Sequence, residues 1–570
     1  MYVSSRFQFP VVIALAISLS ACVDSREEVP VAPEKTANAE IHPRPFPADT
    51  LYALLVAEFA GARNQPDIAL QNYSEQARQT RDIGITRRAT MIAQYLGASE
   101  KAVENAELWN SLDPASAEPD AVLADEMLKQ NKLSESFDYS LKLLDKGYQP
   151  PFQTIAAQAA NNNAIQQTTL LERYDQALKK HPDNPALLLG KALLHHFLGD
   201  DSQAMRLTSR VIDIDKNNSA AYLLQASLFD KSGDRKNATL TLGKRMALQP
   251  YDQRVHLQYA RMLASYDLPA AQKEFKLLVE KNPFNADLLL TLAIISKEVG
   301  DKATAKEYFE QLLFIQKRQS NAYYYLGQMS EDEGDIVRAL EHYRRVSDSD
   351  DYFYAITSFC RLTIKTGDLT QCLQHLDEER LRLPAAAPKL FLIESTVLQD
   401  RKQYLQSISV LNKAIKQFPD ELELLYSRSM AQEQLGKISE SEADLRAILN
   451  IDHDNANAMN ALGYLLSNKT DRQQEAYELI TKALVRDPNN AAIIDSMGWV
   501  LYRLNRNDEA LTSLRKAMEL YPNHEIAAHY GEVLWVTGNQ KEAREVWKKG
   551  IDDNPDSPII KETLQRLNVK

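Results

Sequence analysis

The chain has 570 residues, with 66 Lys and Arg against 78 Asp and Glu, for a formal charge of −12. Hydrophobic residues make up 44% and charged residues 25%, a globular balance that argues against disorder. The acidic excess and scattered basic residues argue against a nucleic-acid partner, and three cysteines are too few for a disulfide framework or a Cys₄ zinc site.

Residues 1–21 read as a targeting segment. Phe9–Ala21 is a mostly apolar run, too short to span a bilayer as a helix but suited to a signal-peptide core. It ends in Leu19-Ser20-Ala21-Cys22, which resembles the lipobox of bacterial lipoproteins. That resemblance implies cleavage before Cys22, acylation of Cys22, and anchoring to a membrane by lipid alone. Val23 after the Cys implies sorting to the outer membrane, facing the periplasm. Residues 22–49 carry Pro30, Pro33, Pro43, Pro45 and Pro47 without apolar periodicity and read as an extended tether.

From Thr50 onward small residues recur in two series. The first includes Ala57, Ala192, Ala226, Ala293, Gly327, Cys360, Gly463, Gly498 and Gly531, in steps of 33 to 35 residues. The second follows it by eleven to thirteen residues, as at Ala69, Ala204, Ala305, Cys372, Ala510 and Ala543. Between them stands a Gly at 199, 233, 300, 334, 367, 436 and 538, placed to close a helix in the left-handed conformation. The spacing predicts helix-turn-helix units whose small residues let paired helices approach closely. One unit cannot bury both faces, so neighbours must stack.

This pattern resembles the tetratricopeptide repeat (TPR), and DSMGWVLYRLNRNDEALTSLRKAMELYP (Asp495–Pro522) carries the likeness best. The resemblance implies an all-α solenoid, a right-handed superhelix of helix-turn-helix units. Residues 50–184 would hold degenerate repeats, 185–557 the main array and 558–570 a capping helix. Gln158 and Leu170 stand where small residues are preferred, so irregular helical pairs are expected there.

The motif search finds no H-E-x-x-H, no G-x-S-x-G and no phosphate-cradling loop. No catalytic residue, metal ligand or cofactor is assigned, and no small-molecule substrate is expected. The pairs His195-His196 and His524/His529 are off one helical face and read as exposed helical histidines. Cys360 and Cys372 occupy the two small positions of one unit; they serve either as small apolar residues or as a disulfide bracing that unit.

In TPR proteins the second, fifth, ninth and twelfth positions of each first helix point inward. Carried onto this sequence, they place Tyr464, Asp495, Trp499, Tyr502, Glu532 and Trp535 on the inner face of the last three units. Two Trp and two Tyr there would anchor a partner segment, unless Trp499 and Trp535 pack adjacent units instead. Leu189, Leu223, Leu290, Tyr324, Leu392 and Tyr426 stand at fifth positions where lysines would have suggested a clamp for a carboxylate. The layout also resembles large repeat lipoproteins of Gram-negative bacteria that act as protease adaptors. It implies a scaffold without enzymatic activity, whose protein partners are a periplasmic C-terminal-processing protease and peptidoglycan hydrolases. The alternative is an assembly factor for envelope polysaccharide export or lipoprotein delivery.

Overall fold

The computed structural model describes residues 47–569 apart from Tyr251 and Asp348. Cys22, the signal segment and nearly all of the tether lie outside the described residues. Thirty-one α-helices and two short 3₁₀ turns, with no strand among the described residues, make the chain all-α. Contacts divide it into two units, one ending at Arg318 and the other opening at Gln319.

In the first unit, helices from Ala48–Ala62 to Lys302–Phe314 run as eight antiparallel pairs. Caps explain their starts. Asn184 and Asn218 open first helices by accepting Leu187 N–H and Ala221 N–H, while Asp200 and Asp234 open second helices in the same way. Each such cap stabilises a helix by about 1 kcal/mol. Gly199, Gly233 and Gly300 end first helices at φ of 85°, 83° and 88°, the left-handed conformation expected of them. Asn64 and Asn131 take the same conformation where no Gly stands.

One pair is irregular. A helix of only seven residues, Phe152–Gln158, runs into a 3₁₀ turn before the long helix Ala164–Lys180. Gln158 is too large for a close crossing, and its Nε2 instead donates to Leu128 O at 2.9 Å. Tyr174 fills the core there: its hydroxyl donates to Phe152 O, and its ring occupies the space a Cβ on Gly190 would need.

The second unit runs from Gln319–Asp332 to Pro558–Arg566, seven pairs followed by one closing helix. Its crossings show why small residues recur. A Cβ on Gly327 would lie 2.7 Å from the Tyr343 ring, one on Gly498 2.5 Å from Leu514, and one on Gly531 2.2 Å from the Trp547 indole. The first helix gives up volume that the second helix fills. At the equivalent crossing Cys360 and Cys372 are joined by a disulfide, with Cα atoms 4.7 Å apart.

Stacking follows a second rule. The third and tenth positions of first helices are buried against the preceding pair, as at Leu187 and Leu194, Leu288 and Ile295, Ala458 and Leu465, and Ile493 and Val500. In the first helix these positions are Tyr52 and Phe59, which are 71% and 62% exposed. Apolar residues at the seam gain burial where a neighbouring pair packs on them.

Candidate functional site

Three consecutive first helices, Ala456–Lys469, Ala491–Arg503 and His524–Val536, carry all six candidate partner-binding residues. Asn455, Asn490 and Asn523 cap these helices, so each starts at a fixed residue and the inward positions fall in register.

Three of the six converge on His529, which the sequence alone reads as an exposed helical histidine. His529 is buried, at 5% exposure, because its helix turns it between two neighbouring first helices. Its Nδ1 lies 2.9 Å from Asp495 Oδ2, and since a carboxylate only accepts, the imidazole donates. Its Nε2 lies 3.4 Å from the Tyr464 hydroxyl, and the Trp499 indole stacks on the ring with centroids 4.4 Å apart. Burial works against a charge on this imidazole, but Asp495, with Glu525 and Glu532 farther off, outweighs it and raises the pKa above the ordinary value. The Trp499 ring also meets Tyr502 at 5.4 Å.

Trp499 is thus a packing residue, only 7% exposed, and its indole Nε1 finds no acceptor. Glu532 is likewise buried, and both its oxygens accept from Arg566 of the closing helix, at 2.9 and 2.5 Å. Trp535 stands apart from the cluster. It is half-buried against Trp547 of its own pair, at 5.7 Å between centroids, with the Arg544 guanidinium 5.0 Å over its ring. Five of the six residues therefore form a buried to half-buried polar-aromatic cluster with Trp535 beside it.

Two further polar residues stand at positions that the rule covers. Asn460 holds the fifth position of its helix and is buried with Oδ1 unpartnered; Glu525 holds a second position and is half-buried. Both were within reach of the rule. His529 stands at a sixth position, which it does not cover. Among the described residues no group of His, Cys, Asp and Glu is arranged to hold a metal ion.

Comparison with known proteins agrees with the repeat architecture. Tetratricopeptide-repeat family profiles match residues 156–228, 290–352 and 496–558. The chain is 36% identical over 510 residues to TPR repeat-containing protein PA4667 of Pseudomonas aeruginosa, covering 89% of this chain and 85% of that one. It is 28% identical over 130 residues to the type IV pilus assembly protein PilF of the same bacterium, covering 22% of this chain and 51% of PilF. Among solved structures, TTC0263, a thermophilic TPR protein of Thermus thermophilus, aligns over 32% of this chain and all of its own, at 20% identity and a TM-score of 0.30. With helix pairs, crossings and an extended relative in agreement, the chain belongs to the tetratricopeptide-repeat family.

Proposed function

We propose that this protein is a non-enzymatic scaffold, anchored by lipid at Cys22 to the outer membrane and facing the periplasm. In this reading it brings a C-terminal-processing protease together with the cell-wall hydrolases that the protease degrades. The observation that carries the scaffold reading is the array itself, fifteen helix pairs whose inward positions are free to differ from pair to pair while the crossings stay alike. The finer role rests on the likeness of the lipobox, the Pro-rich tether and the Asp495–Pro522 block to the adaptor lipoprotein LbcA. An assembly role in envelope export is the second reading, favoured by the local likeness to PilF, which is named for pilus assembly.

Affinity capture of the full chain from detergent-solubilised envelope, followed by mass spectrometry, separates the two. A protease recovered with cell-wall hydrolases supports the adaptor role, and subunits of an export or assembly machine support the second. Trp535→Ala, which removes a half-buried aromatic beside the cluster, should weaken capture. Truncating an aromatic hot spot commonly costs about 2 kcal/mol, roughly 25-fold in affinity.

A further inference from the structure

The last repeats hold more hydrogen-bond acceptors than their own donors satisfy. Tyr464 marks the centre of this excess. Burial raises its hydroxyl pKa far above the ordinary value, and Asp495, Glu433, Glu525 and Glu532 all add to that shift. These carboxylates come from three first helices, Leu422–Gln434, Ala491–Arg503 and His524–Val536, gathered around the fourth, which bears Tyr464.

Only part of the acceptor capacity is used. Glu532 is held by Arg566, and Asp495 commits Oδ2 to His529. Asp495 Oδ1 is buried without a partner, in a residue only 4% exposed. Asn460 Oδ1, one turn before Tyr464, is equally buried and equally unpartnered, in a residue 6% exposed. Burial pushes the Glu433 carboxyl up. Glu525 acts on Tyr464 and His529 through space. The Trp499 indole N–H and the Ser467 hydroxyl are also buried without partners.

A buried acceptor with no donor is destabilising, so a ligand that supplies N–H groups regains that free energy on binding. Lys and Arg side chains donate and never accept, and Arg matches a carboxylate with two parallel bonds. A small anion or a free carboxylate would meet repulsion here.

Building on the scaffold reading, we propose that the inner face of the last four repeats binds an extended, cationic protein segment. Glu433, Glu525 and Asp495 receive its Arg or Lys side chains. The absence of inward lysines at the fifth positions fits the same charge choice.

The test uses the full chain in detergent and fluorescein-labelled Gly/Ser peptides bearing either two arginines or two glutamates, read by anisotropy. The arginine peptide should bind at least about tenfold more tightly than the glutamate peptide and weaken as salt rises. Glu433→Gln with Glu525→Gln should lower its affinity about tenfold. Glu100→Gln with Glu107→Gln, which removes the same charge from first-unit helices, should leave binding unchanged. Equal losses in the two double variants would reduce the effect to diffuse attraction and overturn the proposal. Glutamate-peptide binding that Trp535→Ala abolishes would overturn the cationic class while leaving the inner face as the docking surface. Arginine-peptide binding that depends on Glu433 and Glu525 supports the site even if envelope capture recovers no protease, so the two readings fail separately.

Discussion

His529 and Asp495, thirty-four residues apart, form a buried hydrogen-bonded pair that ties the last first helix to the one before it. One repeat length in sequence places these residues side by side in space. Because the pair lies between units, it couples their stabilities directly.

That pair makes the C-terminal repeats sensitive to alkali. The His529 pKa is raised in the folded chain, so its stabilising contribution is complete below the unfolded value of about 6.5 and is lost as pH rises through the folded value. His375 has the opposite sign. It is buried, neither ring nitrogen has a partner, and burial lowers its pKa, so its helices lose stability as pH falls below about 6.5. Hydrogen exchange at several pH values should show Ala491–Val536 loosening on the alkaline side and Tyr352–Arg382 on the acid side. His529→Gln should flatten only the former. Asp495→Ala, which strands a buried imidazole, should cost about 3–5 kcal/mol near neutral pH.

Gly498→Leu should overpack the crossing with Leu514. The first added carbon already meets the Leu514 side chain at 2.5 Å and its backbone nitrogen at 3.2 Å. Overpacking of this kind costs about 1–3 kcal/mol. Exchange protection should fall in the C-terminal repeats and hold in the first unit, since repeats couple mainly to neighbours. Adding Leu514→Ala should recover part of the loss, a coupling that a double-mutant cycle measures.

Equivalent seam positions should respond unequally to truncation. Leu465 is fully buried against the preceding pair, and Leu465→Ala should cost about 2–5 kcal/mol. Phe59 holds the same position in the first helix but is exposed, so Phe59→Ala should change stability by less than about 0.5 kcal/mol. Denaturant unfolding of both variants checks this. A comparable loss in Phe59→Ala would mean that the first seam is covered in solution.

On the proposed lipid anchor, Cys22→Ala should release the protein from the membrane without altering the body; among the described residues no helix is long and apolar enough to cross a bilayer. Fractionation after a salt wash checks it, with circular dichroism to show that the helices remain.

The repeat architecture was legible because it rests on volume and backbone conformation. A close crossing needs a small residue, as at Gly498, and a tight helix end needs a left-handed residue, as at Gly367, where φ is 91°. Both leave marks at fixed spacing. The cluster was less legible because it forms between repeats. The inward-position rule concerns one helix at a time and finds Asp495 and Trp499, yet His529 acquires its role only from the neighbouring helix. Nor does the rule tell an exposed Trp from one stacked on a buried imidazole.

The glycine crossings also bias the order in which a repeat can change. Gly531 and Trp547 share one fixed space, as do Gly327 and Tyr343. Suppose an ancestral pair held Ala in the first helix and a smaller residue in the second. Enlarging the second helix first passes through a clash of about 1–3 kcal/mol. Shrinking the first helix from Ala to Gly costs about 1 kcal/mol and opens room for the larger ring. Drift that must stay folded at every step would favour the second route wherever the clash costs more than the glycine.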